Sequence, residues 1–333
     1  MRHRTLWFFL SSCLLFGIAF VIALMVGRYR IDFTTFFPAV FGNDPAYDME
    51  RSIIVNLRLP RTIMAGLTGV ALALSGLLYQ ETFQNKLTSP DLLGVSAGSA
   101  VGAALAILLG LSAVFISVFA FAFGVLTVFL TVLVAKMFRN GSSTILLLAG
   151  IIVGGLMSAV MTIIKYSAPD DSILASIAYW LMGSFSNSTM ESVWIFLPIV
   201  GACSICLLLI RQKINLVSLG REEAQTKGMN YALYRYLIIG IATLMTATSV
   251  AFSGTISWIG LVIPHIVRLL VGRDAKKTIP LCISFGGLFM IVVDILSRTF
   301  TPAEIPLSGI TGLFGTVIFV GILFYRRREY DEH

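Results

Sequence analysis

The chain holds 333 residues, of which 57% are apolar and 12% charged, with a mean hydropathy of +0.90. A soluble domain carries about 45–50% apolar and about 25% charged residues, so this composition excludes an ordinary soluble enzyme and indicates an integral membrane protein. The formal net charge of +7 does not point to nucleic acid, because the basic residues lie in short loops between apolar runs and form no patch interleaved with aromatics.

The first segment, MRHRTLWFFLSSCLLFGIAFVIALMVGRYR, starts like a signal peptide. Its apolar run of about 20 residues is too long for one and lacks a small-x-small cleavage site, so 6–27 is predicted as the first span. Further apolar runs of span length follow at 62–81, 92–110, 113–135, 144–165, 190–210, 232–252, 258–271, 278–297 and 306–325. The run at 258–271 is short and carries Pro264, so it either joins its neighbour or sits inside the bundle. None of the runs alternates with period two, which excludes a closed barrel. The expectation is an all-α integral membrane protein of about ten transmembrane helices in a single domain over 1–333, with no room for a separate soluble catalytic domain. Cys13, Cys203, Cys206 and Cys282 all fall in apolar runs, where neither a disulfide framework nor a metal or redox use of the Cys203-x-x-Cys206 pair is expected. With three histidines in the chain, no dedicated free-metal site is expected either.

Ten spans place both termini on one side, together with Arg2, Arg4, Lys86, Lys136, Arg139, Arg211, Lys213, Arg221, Lys227, Arg273, Lys276, Lys277 and Arg326–Arg328. The other side keeps Arg28, Arg30, Arg51, Arg58, Arg61, Lys165 and Arg298, with the acidic pair Asp170 and Asp171. The positive-inside rule makes the first side cytoplasmic. A weak internal echo, GVALALSGLLYQ at 69–80 against TSVAFSGTISW at 248–258, is what a transporter built from two related halves would show, although short Ser-Gly matches also arise by chance.

One cytoplasmic stretch, SLGREEAQTKGM at 218–229, is polar in an otherwise apolar chain. Gly220 can act as an N-cap, Glu222 and Glu223 suit the positive end of a helix dipole, Lys227 lies four residues after Glu223, and Gly228 supplies a left-handed stop. The resulting helix, over about 219–229, is far shorter than the roughly 12–15 residues at which an isolated helix becomes even marginal, so it needs outside support. It is either a connector tucked against its own bundle or a docking helix. In the second reading Ala224 and Gly228 permit close approach, and Leu219 and Met229 offer apolar contact.

No GxxxxGK[ST] phosphate loop occurs, and no bound cofactor is expected. Energy would then come from a partner ATPase carrying ATP and magnesium, or from an ion gradient. Ion-driven carriers need ionisable groups inside the membrane, and here Glu81, Lys165, Arg235, His265 and Asp294 all lie near span ends, which disfavours the second source. Arg58 and Arg61 flank Pro60 on the side that the positive-inside rule depletes and at a helix N-terminus that repels cations. That double penalty suggests a partner, while a snorkelling interfacial pair is the plainer alternative. Asp294, four residues before Arg298, could simply pair with it. In RNGSSTILLLAG, Ser142 or Ser143 could cap a helix, and Gly94, Gly98 and Gly102 repeat at every fourth position, as close helix packing requires, with a path-lining role as the secondary alternative.

Taken together, RLPR (58–61), ALALSGLLYQETFQNKLTSPDLLGVSAGS (71–99), LLLAG (146–150), WLMGSFS (180–186), INLVSLGREEAQTKG (214–228), SGTISWIGLVIPHIVRLLVGRD (253–274) and EIPLSGITGLFG (304–315) resemble, in order and spacing, the iron-siderophore and cobalamin permeases of ABC importers, the FecCD type. Glu222-Glu223-Ala224-x-x-x-Gly228 is similar to the segment that in such permeases sits in a cleft of the ATPase subunit. The resemblance implies a type II ABC importer permease fold, a second permease subunit (itself or a paralogue), an ATPase dimer beneath and an extracytoplasmic substrate-binding protein, all at a bacterial plasma membrane. It implies ATPase coupling through Leu219, Gly220, Glu222, Glu223, Ala224 and Gly228, binding-protein docking through Arg58, Arg61 and Arg298, and a cytoplasmic gate at Ser143 and Thr144. A ferric siderophore is the implied cargo, with haem and cobalamin as alternatives. Asn85-Lys86-Leu87-Thr88 departs from the family's usual Asn-Pro-Leu-Ala, which puts the geometry of that turn in doubt.

Overall fold

The computed structural model describes residues 2–42, 44–138, 142–301 and 303–331, leaving the side chains of 2, 3, 323 and 325–331 aside. The topology signals at Arg2, Arg139 and Arg326–Arg328 thus lie outside the described side chains. Every element found is helical: α1 Arg2–Met25, α2 Phe33–Phe41, α3 Asp48–Ser52, α4 Leu59–Thr82, α5 Val95–Leu108, α6 Ala113–Met137, α7 Ser143–Tyr166, α8 Asp171–Met182, α9 Met190–Val217, α10 Arg221–Thr226, α11 Tyr231–Ser253, α12 Ile259–Val271, α13 Ala275–Thr299 and α14 Leu307–Asp331. A π-helical turn, Ile53–Arg58, joins α3 to α4, and a 3₁₀ turn, Pro90–Leu93, precedes α5.

All ten predicted runs fall on helices, but not on ten equal spans. Among the described residues, α1, the Pro45–Thr82 stretch, α6, α7, α9, α11 and α13 are long and apolar enough to cross a membrane; α5, α8, α12 and Leu307–Ile322 are shorter apolar helices. The shortening has local causes. Gly94 (φ +80°) starts α5 late, Gly254 (φ +71°) stops α11, and Trp258 (φ +74°) delays α12, so each run breaks where the backbone turns left-handed. Such broken helices are tolerated at membrane depth where protein surrounds the freed backbone.

Helix α4 is the hub, buried on nearly all sides from Pro60 to Gln80 and surrounded by α9, α11, α12 and α13. Its small residues let the backbones close in: a Cβ on Gly286 of α13 would stand 2.7 Å from the Ala73 Cβ of α4. The same device joins α5 to α6, where a Cβ on Gly98 would lie 2.7 Å from the Phe123 carbonyl, and one on Gly102 would lie 2.8 Å from the Phe123 Cβ. Gly98 and Gly102 are therefore packing residues, whereas Gly94 serves backbone direction. The echoed Ser-Gly pairs adopt different local structures, since Ser75-Gly76 lies mid-helix and Ser253-Gly254 ends one.

Candidate functional site

The polar interlude forms helix α10, six residues long, entered through Gly220 at φ +103°. At its exit Gly228 takes φ +72°, its N–H donates to the Gln225 carbonyl (2.9 Å), and the Met229 N–H donates to the Ala224 carbonyl (3.1 Å). This is the paired 6→1 and 5→2 pattern of a Schellman stop, with the expected buried contact after it. Ala224 is fully buried and Met229 is 5% exposed, both part of the main core beside α9 and α11. The expectation that Ala224 and Met229 would face a partner is corrected here. A helix this short has one inward face, and these two apolar side chains take it. Glu222, Glu223, Gln225, Thr226 and Gly228 lie outward, and Leu219 is 41% exposed.

Side chains not singled out in the sequence brace α10. The Gln84 amide at the end of α4 donates to the Ser218 carbonyl (3.1 Å), and a Cβ on Gly220 would come within 2.8 Å of that amide nitrogen. One turn earlier, Arg268 of α12 donates to Glu81 (3.0 Å) and to the Gln80 amide oxygen, while the Gln80 amide donates to the Gly260 carbonyl (3.0 Å). The Asn215 amide at the end of α9 donates to Asp274 (2.9 Å) and accepts from the Ala275 N–H (2.7 Å), fastening α9 to the start of α13. Asp274 also caps α13 through the Lys276 N–H (3.0 Å); although partial burial pushes its carboxyl up, these donors outweigh it and hold the pKa below the ordinary value. These bonds tie the Ser218 end of the α10 segment to α4, α4 to α12, and α9 to α13. Just before the departing Asn-Lys-Leu-Thr turn Gln84 sits at φ +53°, and within the turn the Asn85 side chain accepts from the Leu87 N–H (3.0 Å).

At the same end, the Ser142 hydroxyl caps α7 by accepting the Ile145 N–H at 3.2 Å. Ser143 and Thr144 therefore occupy the first turn of α7, with Thr144 exposed.

At the opposite end the three arginines are buried, with exposures of 5%, 9% and 6% for Arg58, Arg61 and Arg298. Arg58 donates to the carbonyls of Leu24 (2.9 Å), Met25 (2.7 Å) and Tyr29, so its cation meets the negative end of α1. Arg61 donates through Nε to Asp294 (2.8 Å) and through both terminal nitrogens to Glu304 (2.6 and 3.1 Å). Arg298 lies 3.3 Å from the second Asp294 oxygen and donates to the Ala23 carbonyl at 2.6 Å. The cations expected to face another protein are thus enclosed and partnered within this chain, and Arg298 does pair with Asp294. The apparent penalty at Arg58 and Arg61 is resolved by groups from α1, α13 and the segment before α14. Beside this rim, a cavity of about 1100 Å³ opens between α6, α8, α9 and α11, with a mostly apolar lining that also carries Ser176, Ser184, Asn187 and Thr189.

The FecCD transport family matches residues 14–325. The chain belongs to the FecCD transport family. It is 37% identical to the molybdate import system permease protein MolB of Haemophilus influenzae, over 95% of this chain and 94% of that one. It is 35% identical to a probable iron chelatin transport system permease protein of Helicobacter pylori, over 83% of each. A metal-chelate type ABC transporter solved in an inward-facing conformation covers 95% of this chain and 98% of its own, with TM-score 0.86 and 36% identity. This FecCD protein is accordingly a membrane-embedded ABC importer permease, a transport subunit with the all-helical fold described above.

Proposed function

We propose that this permease carries a chelated metal, most directly a ferric siderophore, across a bacterial inner membrane with both termini cytoplasmic, driven by an ATPase dimer that docks on α10. A second permease subunit completes the path, and an extracytoplasmic binding protein delivers the cargo over the rim near the 1100 Å³ cavity. The observation that carries the reading is α10 itself. Its inward face is filled by Ala224, its exit is locked by the Schellman stop at Gly228, and Glu222 and Glu223 are left outward between the exposed cations Arg221 and Lys227. A connector tucked against its own bundle would be seated in the same way, and what favours a docking helix is the exposed Glu222–Glu223 pair in a chain of the FecCD transport family. In this reading Ser143 and Thr144, at the same end of the bundle as α10, form the cytoplasmic gate. Leu219, Gly220, Glu222, Glu223, Ala224 and Gly228 act together, Ala224 and Gly220 as the seat and the others as the contact.

The iron-chelate cargo is supported by the Helicobacter relative and by the metal-chelate transporter, whereas the Haemophilus relative favours a second reading, molybdate import. Uptake into proteoliposomes holding the permease, its ATPase and its binding protein separates them. Radiolabelled ferric siderophore is expected to accumulate only with internal ATP. Accumulation of molybdate, haem or cobalamin instead would replace the cargo, and uptake driven by an ion gradient without ATP would overturn the importer mechanism.

A further inference from the structure

We propose that the cleft between α6 and α11 binds one anionic phospholipid of the cytoplasmic leaflet, with an acyl chain in the cleft and the headgroup phosphate on Lys136. The cleft holds about 410 Å³. Val128 and Ile239 form its buried floor, and Phe129 and Tyr236, 61% and 40% exposed, form its walls. Of the two hydroxyl-bearing residues in its lining, Tyr236 and Thr243, Thr243 is engaged with the Tyr79 hydroxyl at 3.1 Å. The rest of the lining is apolar, and an acyl chain needs no hydrogen-bond partner from it.

The dimensions and charge fit one leaflet. On α6 the lining runs from Phe121 to Val132, eleven rises of about 1.5 Å or about 16 Å, against about 15 Å for half of a 30 Å hydrocarbon core. One turn beyond Val132, on the same stripe, Lys136 closes the cleft at the α10 end, its Nζ held 5.3 Å from the Tyr236 ring centroid. A pinned cation at the mouth of an apolar cleft matches a lipid phosphate. The choice of leaflet rests on the reading of that end as cytoplasmic, where anionic lipids and basic juxtamembrane residues meet.

Gly240 provides a variant that should fold. A Cβ built there meets no atom within 4 Å, so Gly240→Leu adds its side chain at the cleft without a clash at Cβ. The full transporter, purified and exchanged into matched phosphatidylglycerol or phosphatidylcholine, would be examined by native mass spectrometry with thermal unfolding as a folding control. Phosphatidylglycerol is expected to be retained at one site per permease. Lys136→Ala should cut its preference over phosphatidylcholine about fivefold, the factor matching about 1 kcal/mol per basic residue at the surface. Gly240→Leu should abolish retention of both lipids. Lys213→Ala, a lysine stacked on Tyr234 at 5.4 Å but with no cleft lining beside it, should change nothing. Equal retention of the two lipids, an undiminished site in Gly240→Leu, a loss in Lys213→Ala as large as in Lys136→Ala, or a cross-link from a cysteine at 240 to the second permease copy would each overturn the proposal.

Discussion

Arg61→Ala removes a guanidinium that is 9% exposed and makes three charge-assisted bonds, one to the fully buried Asp294 and two to Glu304. The loss strands two carboxylates, and breaking a buried pair from one side costs about 3–5 kcal/mol. At about 2 °C per kcal/mol, the low end of the range for large domains, the temperature of half-unfolding in detergent should fall by about 6–10 °C. The contact is internal and screened little, so the shift should be nearly the same at 50 mM and 500 mM salt. Binding-protein affinity, measured on the fraction that remains folded, should stay within about threefold of the parent, because Arg61 reaches no outside partner until this network opens. Unaltered unfolding combined with a large, salt-dependent loss of docking would refute the reasoning and return Arg61 to the surface role suggested by its sequence context.

Other outcomes follow from single positions. Gly228→Ala keeps open space around its new methyl, so its penalty is the left-handed backbone alone, about 1–2 kcal/mol; hydrogen exchange of residues 221–229 should accelerate about 5- to 30-fold, and Gly228→Asn should lose less. Gly98→Leu forces its Cβ against the Phe123 carbonyl at 2.7 Å, so α5 must part from α6 and thermal unfolding should show a loss of at least about 1–3 kcal/mol. The carboxyl of Asp274 lies below its ordinary value of about 3.9, so its stabilisation is complete above that value and is lost as pH falls through the lower folded one. Asp274→Asn should therefore lower the unfolding temperature by a constant amount from about pH 5 to 8, with the two curves converging as pH falls below the ordinary carboxylate value and through the lower folded one.

The spans were legible because apolar runs of membrane length dominate the sequence, and α10 was legible because Gly220 and Gly228 bracket a polar window. Helix α8 escaped notice because DSILASIAYWLM is shorter than a span and merges into a loop rich in serine. Arg58, Arg61 and Arg298 stood out as misplaced charges, yet what satisfies Arg61 lies 233 and 243 residues away, a pairing no local pattern can supply. The inward turn of Ala224 was hidden for a similar reason: a six-residue helix has no periodicity to read, and α9 and α11 choose its buried face. Gln80, Glu81 and Gln84 did leave a trace, as polar residues crowding the end of an apolar run, but their link to α12 and to Ser218 needed the folded chain.

The central claim, that an ATPase grips α10, is tested most directly by the affinity of the purified ATPase for the permease carrying Glu222→Lys and Glu223→Lys. Both side chains are exposed, so the permease should fold as before. Affinity should fall at least tenfold, about 1.4 kcal/mol, with ATP-driven uptake falling in parallel. Parent-like affinity and uptake in that variant would contradict it.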